Sequence, residues 1–298
     1  MNEMDRRDFL KLAGMGGVVF FSGLGTLVDA ICKSAAADDF FFVQLSDTHW
    51  GFEGAQLNPD AKGTLQKAVA AVNSLTNQPD FIVFTGDLTH TTDDPQERRK
   101  RLREFKDIIS QLKVKNIRLI PGEHDASLDN GAAYKEFFGE THYTFNHKGV
   151  HFITIDNVSD PRGSVGEAQL VWLGDTLKKI DKNAQIVVLT HRPLFDLYPQ
   201  WDWATRDGDK VVTLLMPFKH VTVFYGHIHQ EHNHFTGHIP HHAAKSSIYP
   251  LPAPGSVAKR APIPWDPTAP YKGLGFREID TRPKQNDCVL TEYPVTKV

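Results

Sequence analysis

A chain of 298 residues, 40% of them hydrophobic and 23% charged, carries enough apolar material for a substantial globular core. Its formal net charge of -3 leaves no basic footprint, which excludes long nucleic acid as the main partner. Fifteen histidines exceed what packing or solubility asks for and raise metal binding as the first question, with surface positions as the plainer account of many of them.

The first 37 residues read as an address label. Arg6-Arg7 is followed by Phe9-Leu10-Lys11 and a mildly apolar, glycine-rich stretch over 12–28, a pattern that resembles a twin-arginine export signal. A membrane anchor needs about 20 strongly apolar residues. Here Gly14, Gly16, Gly17, Gly23 and Gly25 interrupt the run and Asp29 ends it. Ala35-Ala36-Ala37 offers a cleavage site; Cys32 invites a lipoprotein reading, which the bulky Ile31 before it disfavours. The expected product is a single domain over 38–298, handled by the twin-arginine export machinery, periplasmic or otherwise exported, with no membrane span after cleavage. Cys288 is then its only thiol, so no internal disulfide forms.

Short apolar runs then alternate with helical patterns, as in α/β proteins. Strands are predicted over 40–45, 81–84, 117–120, 151–155, 186–189 and 221–224. Helices are predicted over 65–75, 95–112 with Pro95 in its first turn, and 167–180 with Leu170, Trp172, Leu173 and Leu177 toward the core. Residues 232–242 resemble a hairpin. The last part, proline-rich over 250–267 with β-like runs over 274–279 and 289–293, is expected to complete and wrap the second sheet from about residue 246.

Five short segments follow strand-like runs: Asp47-Thr48-His49, Gly86-Asp87, Gly122-Glu123-His124-Asp125, His191 and Gly226-His227-Ile228-His229. In open α/β sheets ligands gather beyond the carboxyl ends of strands, so these oxygen and nitrogen donors meet at one rim. That set suits a pair of metal ions and reads as a two-metal hydrolase. Alone, Asp47 and Asp87 would pass for strand-end caps; together with the three histidines they read as ligands.

In order and spacing these segments resemble the calcineurin-like metallophosphoesterase superfamily, whose pattern is D-x-H, G-D-x-x, G-N-H-D/E, a lone His and G-H-x-H. The resemblance covers roughly residues 40–245, and five ordered blocks make it specific. It implies a four-layer α/β/β/α sandwich of two mixed β-sheets flanked by helices. It also implies a binuclear-metal phosphoester hydrolase working through a water or hydroxide between the metals. Residue by residue, Asp47, His49 and His229 correspond to ligands of one metal, Asp87 to the bridge, and His191 and His227 to ligands of the second. His124 matches the residue that touches phosphate and protonates the leaving oxygen, with phosphate positioning alone as the lesser role; Asp125 is expected to orient it.

Glu123 departs from the pattern, standing where the family has Asn. A glutamate ligates a hard cation but offers no donor and adds negative charge beside the substrate. Mn or Fe is then favoured, with Zn as the further option, and phosphodiesters are preferred slightly over monoesters. The competing reading has Glu123 turned away and water in its place. His90 is a candidate for supporting a ligand or touching substrate. Arg192 is a candidate for a phosphate oxygen, against a salt-bridged role. Trp50, Trp201 and Trp203 are expected to pack in their own loops, with stacking on a nucleobase or sugar as the alternative, and His232, His234, His238, His241 and His242 to be ordinary strand histidines rather than an accessory metal site. The substrate is a small-molecule phosphoester, and the nearest branch includes bacterial cyclic-nucleotide phosphodiesterases. The alternatives are a phosphomonoesterase, or a non-catalytic metal- or partner-binding protein on the same scaffold.

Overall fold

A computed structural model describes residues 39–282 and 287–295 of the chain; the predicted export leader and its cleavage site lie outside them. The first strand, β1 (Phe40–Leu45), is an unbroken buried run of aromatic and aliphatic residues. Such runs suit a strand covered on both faces. Helix α1 (Thr64–Asn73) crosses over to β2 (Phe81–Thr85), and α2 (Pro95–Ile109) crosses to β3 (Ile117–Ile120). Asp94 caps α2 by accepting from the amides of Gln96 and Glu97, with Pro95 in the first turn where its missing N–H costs nothing.

Two short helices, α3 (Glu123–Ala126) and α4 (Ala132–Phe138), and β4 (Thr144–His147) come next, none of them anticipated. The chain continues through β5 (Val150–Thr154), α5 (Glu167–Leu177), β6 (Gln185–Leu189), α6 (Gly208–Leu215) and β7 (His220–Tyr225). A hairpin, β8 (His232–Thr236) and β9 (Ile239–Ala243), and a final pair, β10 (Gly275–Arg282) and β11 (Asp287–Pro294), close the set.

The strands form two mixed sheets, ordered β11-β10-β1-β2-β3 and β4-β5-β6-β7-β9-β8. Period-two alternation divides each strand between two cores. Phe40, Phe42, Phe81 and Val83 meet Phe152, Val187, Leu189 and Phe224 between the sheets. Val43, Leu45, Ile82 and Phe84 pack outward with Leu65, Val69, Phe105 and Ile108 of α1 and α2. Ile186, Val188 and Val223 pack outward with Leu170, Leu173, Val211 and Leu215 of α5 and α6. The result is the expected four-layer α/β/β/α sandwich. Among the described residues, no helix is long and apolar enough to cross a membrane.

The C-terminal strands correct one expectation. They extend the first sheet, β10 lying antiparallel to β1 with Phe40 opposite Thr281, instead of completing the second. The physical reason is edge supply. Pairing with β2 leaves the other side of β1 open, whereas β9 already occupies the outer side of β7. Residues 246–274 run between these elements, and Ile248, Tyr249 and Leu251 pack on Trp201, Trp203 and Tyr225.

Candidate metal centre

The parallel strands β1, β2, β3, β6 and β7 all point their carboxyl ends at one rim, and each of the five segments lies just past such an end. There the backbone is unusual. Asp47, His49, Asp87, His227 and His229 all have positive φ, at 52°, 40°, 48°, 66° and 55°. A left-handed non-glycine residue costs on the order of 1–3 kcal/mol, so five together must be held by their surroundings. Cross-loop bonds do this: the Asp47 amide donates to the Gly86 carbonyl at 3.0 Å, the His49 amide to the Asp87 carbonyl at 2.9 Å, and the Gly226 amide to the His191 carbonyl at 3.0 Å. Two glycines permit the approach. A Cβ on Gly86, whose φ is +92°, would lie 2.3 Å from His191 Nδ1, and one on Gly122 would lie 2.1 Å from the Asp87 amide nitrogen.

The donors form overlapping groups, of which His49, His90 and His124, and Asp87, Glu123 and His124, link two main sets. Asp47, His49, Asp87 and His229 form one, and Glu123, His191 and His227 the other, the donor atoms of each within 4.8 Å of one another. Asp87 joins them. Its Oδ2 is 3.4 Å from His49 Nε2 and 3.4 Å from His191 Nε2, while its Oδ1 accepts the His124 amide at 2.9 Å. Glu123 points inward, with Oε2 2.9 Å from His191 Nε2 and Oε1 2.8 Å from His227 Nδ1. In the first group His229 Nε2 lies 3.4 Å from Asp47 Oδ1 and 3.1 Å from His49 Nε2.

In the second group the inward atoms are left without partners. Glu123 Oε2, His191 Nε2 and His227 Nδ1 are buried and make no hydrogen bond. Buried polar atoms left so are rare in folded proteins, and lone pairs aimed at a common point are what a cation requires. The residues present therefore fit two metal ions, and Glu123 stands among the donors of the second group.

Tethers on the far side of each ring fix which nitrogen faces inward. His191 Nδ1 donates to the Thr85 carbonyl at 2.6 Å, His227 Nε2 to that of Asp202 at 3.2 Å and His229 Nδ1 to that of Tyr249 at 2.8 Å. This leaves Nε2, Nδ1 and Nε2 bare toward the centre. His49 differs, for its Nδ1 meets His90 Nδ1 at 3.3 Å. Charges are strongly coupled. Burial and Glu123 push Asp87 up, but His191, His124 and His49 outweigh them and hold it well below the usual carboxylate range. Glu123 is likewise held low by His227 and His191 against burial, and the two carboxylates raise His191 against its own burial.

His124 accepts the Thr91 amide at Nδ1, 3.1 Å away, so the neutral ring carries its proton on Nε2. It sits edge-on to His49 with ring centres 4.5 Å apart. Asp125 corrects the expectation that it orients His124. Its Oδ2 accepts the Leu88 and Gly122 amides at 2.9 Å, and its Oδ1 the Thr89 amide and hydroxyl at 2.8 and 2.9 Å. As the third residue of α3 it turns back toward the helix start, away from the neighbouring imidazole, and staples the Asp87 loop to the Glu123 loop. Burial and Asp87 raise its carboxyl to about 6.

Arg192 is spent elsewhere, on the carboxylate and carbonyl of Asp202 and the carbonyl of Ala204, so it braces the loop that holds His227 instead of reaching phosphate. His90 lies against His49 and His124, its pKa lowered to about 4 by burial and then by His124. Trp201 and Trp203 are buried in the cluster around Tyr225, and Trp50 donates to Glu104 at 2.8 Å. The hairpin histidines form no three-residue ligand group among the described residues. Tyr249 went unnoticed in the sequence. Its ring stacks on His49 and lies tilted against His229, with centres 5.6 and 4.7 Å away, and no motif marks it.

Comparison with known proteins agrees with this geometry. The family model for calcineurin-like phosphoesterases matches residues 42–231. The chain is 27% identical over 161 residues to "Probable glycerophosphodiester phosphodiesterase GpdQ" of Arcobacter nitrofigilis, covering 51% of this chain and 57% of that protein. It is 25% identical over 201 residues to the serine/threonine-protein phosphatase CPPED1 of Mus musculus, covering 59% of this chain and 64% of that one. The match thus spans under two thirds of either relative. Among solved structures, a dimetal phosphatase from Danio rerio superposes with a TM-score of 0.59 at 14% identity, over 87% of this chain and 97% of that one, a likeness of fold.

Proposed function

This chain belongs to the calcineurin-like phosphoesterase family, and on that premise we propose that it is a metal-dependent hydrolase of phosphoester bonds that works through two metal ions and prefers diesters to monoesters. The observation that carries the proposal is Asp87 Oδ2, equidistant at 3.4 Å from a histidine of each donor group. Asp47, His49 and His229 would hold one ion, Glu123, His191 and His227 the other, and Asp87 both. When bound, such ions supply Lewis acidity and an acidified water. The absence of thiolate among the donors suits Mn or Fe, with Zn as the further option.

The remaining work falls to the chain. His124, with Nδ1 occupied, presents Nε2–H as the donor to a departing oxygen. Diester preference rests on charge. Glu123 places a third carboxylate beside Asp47 and Asp87, and the nearby Arg192 and Arg101 are committed to Asp202 and to the His90 and Thr91 carbonyls. With two ions bound, the third carboxylate leaves the centre less positive than two would, so the extra charge of a phosphomonoester dianion gains less there over a diester monoanion.

The test is hydrolysis of bis-p-nitrophenyl phosphate with added Mn²⁺, alongside a metal count. Two ions per chain are expected, with turnover that chelation abolishes and Asp87→Ala lowers by roughly 10³-fold or more. Fewer than two ions, or activity that survives Asp87→Ala, sinks the proposal. Export through the twin-arginine route is a further part of it, supported by Arg6-Arg7. Replacing both with lysine should retain the protein in the cytoplasm; unchanged export refutes that part.

A further inference from the structure

Three of the four ligand histidines lean on main-chain carbonyls, those of Thr85, Asp202 and Tyr249. No side-chain substitution removes such an acceptor. His49 is the exception. Its Nε2 is turned inward, 3.4 Å from Asp87 Oδ2, and an ion held there would leave its proton to Nδ1, where the partner is His90 Nδ1 at 3.3 Å. His90 is itself firmly placed. Its amide donates to the Trp50 carbonyl at 2.8 Å and its carbonyl accepts from Arg101 at 2.9 Å. Its ring is wedged between Phe52 and His124, with centres 5.1 and 4.8 Å away.

We propose that His90 is a positioning residue for one metal alone: by accepting the His49 Nδ1 proton it fixes the tautomer and aim of His49, and so sets how tightly the ion held with Asp47, Asp87 and His229 binds. Its Nδ1 is turned to His49 Nδ1 instead of to that ion. The inference rests on the two-metal reading above and adds an asymmetry to it, since His191 and His227 beside the other ion lean on main-chain carbonyls.

The experiment is Mn²⁺ binding to the metal-stripped full chain by calorimetry, for wild type, His90→Phe and His90→Asn. Phenylalanine keeps a ring between Phe52 and His124 but has no acceptor, whereas the asparagine Oδ1 falls where His90 Nδ1 does. Loss of a ligand's outer partner typically weakens metal binding 10–100-fold. His90→Phe is expected to show that loss at one of two sites with the other unchanged, and His90→Asn to restore the wild-type isotherm to within a few-fold. Unchanged binding in His90→Phe, equal weakening at both sites, or no rescue by asparagine overturns the proposal while leaving the two-metal reading intact. Wild type that binds fewer than two ions overturns both.

Discussion

Two neighbouring stretches of this chain are rich in histidine, and they behave differently. His227 and His229 at the rim donate to the Asp202 and Tyr249 carbonyls with one nitrogen and turn the other toward carboxylates and further imidazoles. A few residues on, the β8–β9 hairpin disperses its histidines. His232 meets the Tyr225 hydroxyl, His238 the Phe218 carbonyl, His242 the Asn233 amide, and His241 is buried with both nitrogens unpaired. The hairpin holds the more histidines, five against two; what decides is whether the bare nitrogens share a focus. A left-handed backbone at strand ends gives that focus, whereas a regular ladder points successive side chains to opposite faces.

The sharpest way to break this contrast is to remove one imidazole from each region. His124→Ala should lower kcat on a diester by about 10²–10⁴-fold with metal content unchanged, the usual worth of a general acid. His234→Ala should leave kcat within about two-fold. Comparable losses in the two variants would erase the distinction.

Charge offers a smaller effect. Glu123→Asn removes one negative charge from the rim and should shift the ratio of diester to monoester hydrolysis toward monoesters by about ten-fold. A constant ratio in paired assays would show that Glu123 has no part in selectivity.

The hairpin should declare itself in acid stability. His241 is pushed down to about 3 by burial, with His234 adding to it. Below the ordinary histidine value of 6.5 the unfolded chain takes a proton that the folded chain refuses, so stability falls as pH drops from there toward 3. Between pH 7 and pH 5 this residue should account for about 2 kcal/mol of lost stability. Urea titrations of wild type and His241→Phe at both pH values measure it, and an equal loss in the two proteins would remove His241 from the account.

Much of this was legible in the sequence because the signals are local. Apolar runs ending at Asp47, Asp87, His191 and His227 announce strands and their tips, and ligand type and order do the rest. What escaped depends on partners far along the chain. Nothing near Asp125 tells that the amides of Leu88 and Thr89 lie closer than the ring of His124. Arg192 could be placed only once the loop at Asp202 was placed. Tyr249 serves through a carbonyl and a ring face, neither of which a spacing can encode. The sheet joined by β10 turned on which edge stood open.

That last pairing has a bearing on synthesis. Among the described residues, the strand leading to Asp47 and His49 receives its outer neighbour from Gly275–Arg282, far along the chain and synthesised long after it. Until then its amides and carbonyls on that side are exposed to any passing strand, a known invitation to aggregation. Closing so long a loop is slow. A nascent or truncated polypeptide stopping short of Gly275 should therefore be sticky and poor at retaining the ion nearest Asp47, however complete its motifs look on paper.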